Sequence, residues 1–351
     1  MNARTCPSAR GSWLRAVPPL LGIALSAAVA LWLASSVDLD ALAGVLRQAR
    51  PGLVLLLVLL AVLSNLVRAL RLHVVLQSRT SLLRTIHVYN IGVMVNCLLP
   101  LRSGDMCMAL LLGPHLPGGR SEALSRLFVD RVLDVLAVLA IFAATLPLLS
   151  QAQAQPLAAG GGLWVASASL LGIIGAAWSL CAFEPLAQRC VRNLAQMLRR
   201  DPALWESRAS AVLVGVRSLF HGRVLFLGGG LSLLTWALVV LSFQVGMTAL
   251  FVPPALACAM LAMCLTVLGL IVAPMPAGIG TTHGAIMLGL GIFGVGTEQA
   301  LAFAILYHAL TTAVSLLLGA VSLWACGFSL GALLRGARAA PQEQSPPVEP
   351  R

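Results

Sequence analysis

Lysine is missing from this chain altogether: all 23 basic residues among its 351 are arginine. That excludes Schiff-base chemistry on a lysine and a phosphate-loop lysine, and it fits a genome-wide base composition. Charge of either sign is scarce. Asp, Glu and Arg make up 10% of the chain and 59% is hydrophobic, whereas an ordinary soluble domain carries about 25% charged residues. A soluble globular fold is thereby excluded. Aromatic residues are few, at 5%. No C-x-x-C pair and no metal-ligand spacing occurs among the eight cysteines (Cys6, Cys97, Cys107, Cys181, Cys190, Cys258, Cys264, Cys326). Most lie in apolar stretches, where Cys acts as a small hydrophobe, so neither a metal site nor a disulfide framework is expected. No nucleotide-binding loop, nucleophile elbow or zinc signature is present. The reading is accordingly of a non-enzyme, with no catalytic residue, no cofactor and no ATP coupling within the chain.

What is present is a polytopic membrane protein. Spans of about 20 apolar residues are expected at 16–36, 52–72, 128–149, 157–183, 224–245, 255–273 and 299–326. The start resembles a signal peptide, with Arg4, Arg10 and Arg15 before an apolar run from Ala16 to Ala34. It lacks a small-x-small cleavage site before a polar domain, so an uncleaved first span is the expectation. The net charge of +11 is dispersed over short loops, which points to topology control and anionic lipid rather than nucleic acid. Loops 68–84 and 184–223 are rich in Arg, while 150–156 and 246–254 carry no charge. By the positive-inside rule both termini and the Arg-rich loops are cytoplasmic.

Two Pro- and Gly-broken stretches interrupt the apolar pattern, one in each half. The first is Asn96-Cys97-Leu98-Leu99-Pro100-Leu101-Arg102-Ser103-Gly104-Asp105; the second is Pro274-Met275-Pro276-Ala277-Gly278-Ile279-Gly280-Thr281-Thr282-His283. A helix broken at membrane depth frees backbone groups that lipid cannot satisfy. Paired breaks in two halves are the sequence mark of a transporter's binding site. Segment 86–99 reaches only about 21 Å as a helix, so it reads as a re-entrant helix breaking at Pro100 and returning through 105–113. Segment 277–295 is a broken crossing or a second re-entrant hairpin. The expected fold is an all-α integral membrane bundle of about eight spans with two broken or re-entrant segments, and the pairing of the breaks allows an inverted repeat. The domain plan is a cytoplasmic basic N-terminus (1–15), a membrane domain (16–335) with broken segments 86–113 and 274–295 and a basic arm 184–223, and a disordered tail (336–351). Segments 38–50 and 185–222 read as interfacial helices or plain connectors, the second with Trp205, Val212, Val216, Leu219 and Phe220 as its apolar face.

Polar residues near the breaks are the candidate site. Arg102 and Asp105 flank the Gly104 turn, with Asn96 one turn before Pro100. Arg126, Asp130 and Asp134 stack four apart on one helical face, and Arg131 reaches Asp134 at i,i+3. An ionisable residue inside an apolar run is a functional candidate by default; the alternatives are a head-group-level charge ladder and structural glue between helices. In the second half, Gly278 and Gly280 let the backbone bend. A helix starting near Thr281, Thr282 and His283 would offer free N–H groups to a phosphate. His308 sits inside a later apolar span.

The chain resembles the flippase-like membrane proteins related to the transmembrane region of lysylphosphatidylglycerol synthase. The residues that carry this are Arg68 and Arg71, N-x-x-L-P-x-R-x-G-D at 96–105, D-R-x-x-D at 130–134, P-x-P-x-G-I-G at 274–280 and the span around His308, over roughly residues 16–330. The resemblance implies a helical protein of the cytoplasmic (inner) membrane that moves or presents lipids or lipid-linked molecules through a cavity between broken helices. His283 stands where that family often has an acid, and His308 where it often has Arg. No aminoacyl-transferring domain follows Arg335. The expected site therefore comprises Asn96, Arg102, Asp105, Asp130, Arg131, Asp134, Pro276, Gly278, Gly280, His283 and His308. Arg102 and Arg131 would hold an anionic head group, the acids would orient these Arg or take a cation, and the glycine turn would cradle phosphate. Two alternatives stand beside a flippase: a membrane-embedded head-group transferase with Asp130 or His283 as base, and a non-transporting partner of a lipid or glycan synthase. A homodimer is allowed.

Overall fold

A computed structural model of the chain describes residues 44–99, 103–150, 192–193, 202–217, 221–251, 255–272 and 278–327. The expected spans 16–36 and 157–183, the N-terminus, the tail, Arg102 and Pro276 lie outside the described residues, as do residues 38–43 of segment 38–50. Among the described residues there is no strand. The helices are α1 (Pro51–Val75), α2 (Leu82–Leu98), α3 (Ser103–Leu112), α4 (Gly119–Thr145), α5 (Pro202–Arg217), α6 (Gly229–Leu250, entered through a π-helical turn Val224–Gly228), α7 (Leu256–Val272), α8 (Thr281–Gly291) and α9 (Thr297–Ala325).

Three of these are long and apolar enough to cross a membrane: Pro51–Val75, Val224–Leu250 and Thr297–Ala325. Each turns large apolar side chains outward, among them Leu55, Leu59, Phe226, Leu317 and Trp324, as lipid-facing helices do. The helix α4 is as long, at 27 residues, but carries the buried charges discussed below.

The local sequence explains the helix ends. Pro51 opens α1 at its first turn, where its missing N–H is not needed. Gln77 and Ser78, with φ of 54° and 57°, turn the chain out after α1. Ser81 caps α2, and α2 stops at Leu99, whose extended backbone (φ −120°, ψ 144°) is what a following proline imposes.

The described helices form two matched sets of four. In chain order α1, α2, α3 and α4 have 25, 17, 10 and 27 residues, and α6, α7, α8 and α9 have 22, 17, 11 and 29. The packing is matched as well. Within each set the first helix packs on the second, the second on the third, and the third on the fourth; across the sets α2 packs on α9 as α7 does on α4. The two first helices pack on each other and run antiparallel. Arg50 at the start of α1 donates to the Ala249 carbonyl at the end of α6 (2.9 Å), and Arg71 near the end of α1 reaches Ser232 near the start of α6 (3.0 Å).

Helix association in lipid relies on close packing through small residues rather than on hydrophobic burial, and each short-helix pair has such a contact. A Cβ at Gly104 of α3 would lie 1.9 Å from the Gly92 carbonyl oxygen of α2, and one at Gly289 of α8 would lie 2.6 Å from the Ala262 Cα of α7. The pair α2–α3 falls within segment 86–113, where the sequence places the first break. The helical part of segment 277–295 is 11 residues, about 16 Å at 1.5 Å per residue, against about 30 Å for a hydrocarbon core.

The helix α5 packs on α4, where Ser125 donates to the Val212 carbonyl at 2.6 Å. Its buried residue is Leu213, while Val212 is exposed. Leu219 and Phe220 of the expected apolar face lie outside the described residues.

Candidate functional site

The acids of α4 meet α1 rather than a cavity. Arg71 is fully buried, and its guanidinium spans both acids one turn apart. Its Nε and one terminal nitrogen each donate to an Asp130 oxygen at 2.8 Å. Both terminal nitrogens reach Asp134, one of them at 3.0 Å, and one also reaches Ser232. The indole N–H of Trp236 adds a bond to Asp134 at 2.8 Å. Paired charges and saturated hydrogen bonds are what let such groups be buried at all. Arg126 is buried too. It pairs with Glu122 at 2.8 Å and donates to the Val75 carbonyl at 2.6 Å, tying α4 to the end of α1. Arg126 and Asp130 are 1% and 0% exposed, because their side chains turn into the bundle toward α1.

Next to this network, Asp105 on α3 accepts from Arg131 on α4 at 3.0 Å, and Arg131 also reaches Asp134 at 3.3 Å. Asn96, at the end of α2, accepts from the Gly104 N–H at 2.7 Å and approaches Asp105 at 3.5 Å. The amide thus closes the α2–α3 hairpin where the helix breaks. Asn96, Asp105, Asp130, Arg131 and Asp134 are joined as one polar cluster. The residue that organises it is Arg71, which the sequence reading placed in the family pattern but not in the site.

On the other side, Gly278 and Gly280 have φ of +71° and +88°, which L side chains rarely adopt. They set the turn into α8. The Gly280 N–H faces the His283 Nδ1 at 3.4 Å. His283 on α8 stacks on His308 of α9, with ring centroids 5.0 Å apart and planes at 11°. Gly278, Gly280, His283 and His308 are therefore also brought together. Arg102 and Pro276, one from each break, lie outside the described residues.

Between the two clusters is a cavity of about 260 Å³, lined by α1, α2, α6, α7, α8 and α9. Arg68, Trp236, Thr282, Tyr307, His308 and Thr312 are among its walls. Arg68 stands over the Trp236 ring at 4.6 Å, a cation–π arrangement. A cation at the centre of a membrane helix costs about 2.5–3.5 kcal/mol on insertion scales, so the place of Arg68 on a cavity wall against the Trp236 ring has a physical reason. The sequence reading missed Trp236 and the hydroxyls of α9. Their signal was present as Thr311, Thr312 and Ser315 around His308 on an otherwise apolar helix. The acidic partners of Arg71 could have been found by asking which cation answers two acids four residues apart.

Among the described residues no group of three or more His, Cys, Asp or Glu could hold a metal. No curated protein and no solved structure gives a significant match to this chain. Residues 20–319 match the family model described as the lysylphosphatidylglycerol synthase TM region. That span takes in both broken segments, the acids of α4 and the cavity, and with its long apolar helices the chain is a multi-pass helical membrane protein belonging to the lysylphosphatidylglycerol synthase transmembrane-region family.

Proposed function

We propose that this protein moves a lipid or lipid-linked molecule between the leaflets of the cytoplasmic membrane. The observation that carries the reading is the antiparallel pair of matched four-helix sets, each with a short hairpin that breaks beside polar groups. Transporters built from inverted repeats bind at such breaks and alternate access by moving one set against the other. With the Arg-rich loops 68–84 and 184–223 on the cytoplasmic side, α2–α3 enters from the cytoplasm and α7–α8 from outside, so their broken tips approach the same depth. The membership of the family whose transmembrane region is linked to lipid flipping agrees with this. The transferase alternative gains no support from Asp130, because Arg71 engages both of its oxygens.

The test is reconstitution of the full chain in vesicles carrying a trace of head-group-labelled lipid in both leaflets. An impermeant quencher should reach nearly all of the label when the protein is present and about half when it is absent. Quenching that stops at half for every phospholipid and glycolipid class offered would sink the proposal. A chemically altered lipid in the same vesicles would favour the transferase.

A further inference from the structure

Resting on the flippase reading, we infer that the cavity between α1, α6 and α9 is a site for a single phosphate group carrying one negative charge, and that Arg68 rather than Arg131 is its cation. The sequence reading gave the head group to Arg102 and Arg131. The structure gives Arg131 other work: its guanidinium is spread over Asp105 and Asp134. Arg71 is covered by Asp130 and Asp134, and Arg126 by Glu122. Among the described residues of α1 to α4, Arg68 is the cation on the cavity wall that makes no ion pair. Asp134 is within its electrostatic reach, yet the oxygens of Asp134 already take Arg71, Arg131 and Trp236.

Trp236 fixes where that charge points. Its N–H is held by Asp134 and its ring lies under the guanidinium, so the buried network positions Arg68 through one rigid side chain. Across the cavity, the hydroxyls of Thr282 and Thr312 are engaged by no other described side chain and can donate to a phosphate oxygen. Among the described residues the lining offers one guanidinium with neutral donors, which matches a phosphodiester in charge; a diphosphate would need a second cation. At about 260 Å³ the space is at the small end of ligand pockets, which start at about 300 Å³. It holds a head group and leaves acyl chains outside, against the apolar faces of the helices.

The experiment uses the purified full-length protein in detergent and follows its thermal unfolding midpoint. The ligands titrated are phosphatidylglycerol, a phosphate-free glycosyl diacylglycerol and inorganic phosphate. Saturable stabilisation by phosphatidylglycerol, none by the glycolipid, and a tenfold or larger loss of affinity in Arg68→Gln are expected. Stabilisation by inorganic phosphate at the lipid's affinity would support the phosphate site and assign it to a free anion. Equal stabilisation by the glycolipid, or unchanged affinity in Arg68→Gln, would overturn the inference. Should Arg68→Gln fail to fold, Thr312→Phe fills the cavity while leaving the cation in place; phosphatidylglycerol binding as tight as in the wild type would then overturn it. Vesicle transport of the same lipids separates the two readings: transport with Arg68-independent binding sinks this site alone, and Arg68-dependent binding without transport sinks the flippase alone.

Discussion

The two halves share a scaffold and differ in what fills it. Asp105 and His283 occupy the third positions of α3 and α8, and Asp130 and His308 the twelfth positions of α4 and α9, both pairs 178 residues apart. In the first half these places belong to a closed ionic network, with Asp105 on Arg131 and Asp130 on Arg71. In the second half they hold two stacked imidazoles at the edge of a cavity. The difference separates roles: acids that saturate their partners hold helices together, and polar groups facing empty space are left for a ligand.

The strongest way to break the comparison is to remove the keystone of the first half. Arg71→Ala leaves Asp130 and Asp134 buried without their main counter-ion. Breaking a buried pair on one side costs about 3–5 kcal/mol, so the variant should lose folded protein in detergent, read as a large fall in the unfolding midpoint. Adding Asp130→Asn and Asp134→Asn removes the orphaned charges and should recover much of the loss. If the single variant is as stable as wild type, the network is not what holds α1 to α4.

Next is the link between the halves. Trp236→Phe keeps a ring beneath Arg68 and deletes the indole donor to Asp134. A hydrogen bond to a charged group contributes about 1.5–3 kcal/mol, so a midpoint drop of that order is expected, together with weaker phosphatidylglycerol binding. Stability loss with unchanged binding would show that Arg68 is positioned by something other than Trp236.

The legibility of this chain in its sequence follows the same division. Paired breaks at 96–105 and 274–283 marked where helices are interrupted, because Pro and Gly act through the local backbone and need no partner to be read. The acids of α4 were visible for the same reason: charges four apart share a helical face in any context. What they touch was not visible. Arg71 meets Asp130 across 59 residues and Trp236 meets Asp134 across 102, and such contacts depend on which helix neighbours which. The length of α8 also escaped notice, since the apolar run 277–295 continues through the turn after Gly291 without a polar break. The cavity could not be read at all, because it is defined by what six helices leave unfilled.

A smaller effect is expected at the glycine turn that leads into α8. Gly278 sits at φ +71°, and a Cβ there would come 2.9 Å from the Thr282 Oγ1. Holding a non-glycine residue in a sparsely populated backbone region costs about 1–3 kcal/mol. Gly278→Ala should therefore lower the unfolding midpoint modestly, and by pressing on Thr282 it should weaken phosphate binding more than it weakens the fold. Equal proportional effects on both would mean the turn is scaffold and not part of the site.

The smallest effect on stability, and the sharpest probe of the comparison, belongs to Asp105 and Arg131. Their side chains are 21% and 24% exposed, and Arg131 keeps Asp134 when Asp105 is gone. The pair is half-buried and Arg131 retains Asp134, so Asp105→Asn should move the midpoint less than the variants above. Its position is another matter, because the pair bridges the hairpin helix α3 to α4 where α8 and α9 are joined by a histidine stack. If that bridge seals the first half during transport, Asp105→Asn should speed or slow lipid movement several-fold at nearly constant stability. Asp105→Arg combined with Arg131→Asp sets a new carboxylate beside Asp130 and Asp134, so the swap should fail to restore the wild-type rate. Restoration by the swap would instead mean that the pair acts alone, and that the first half is not one connected network.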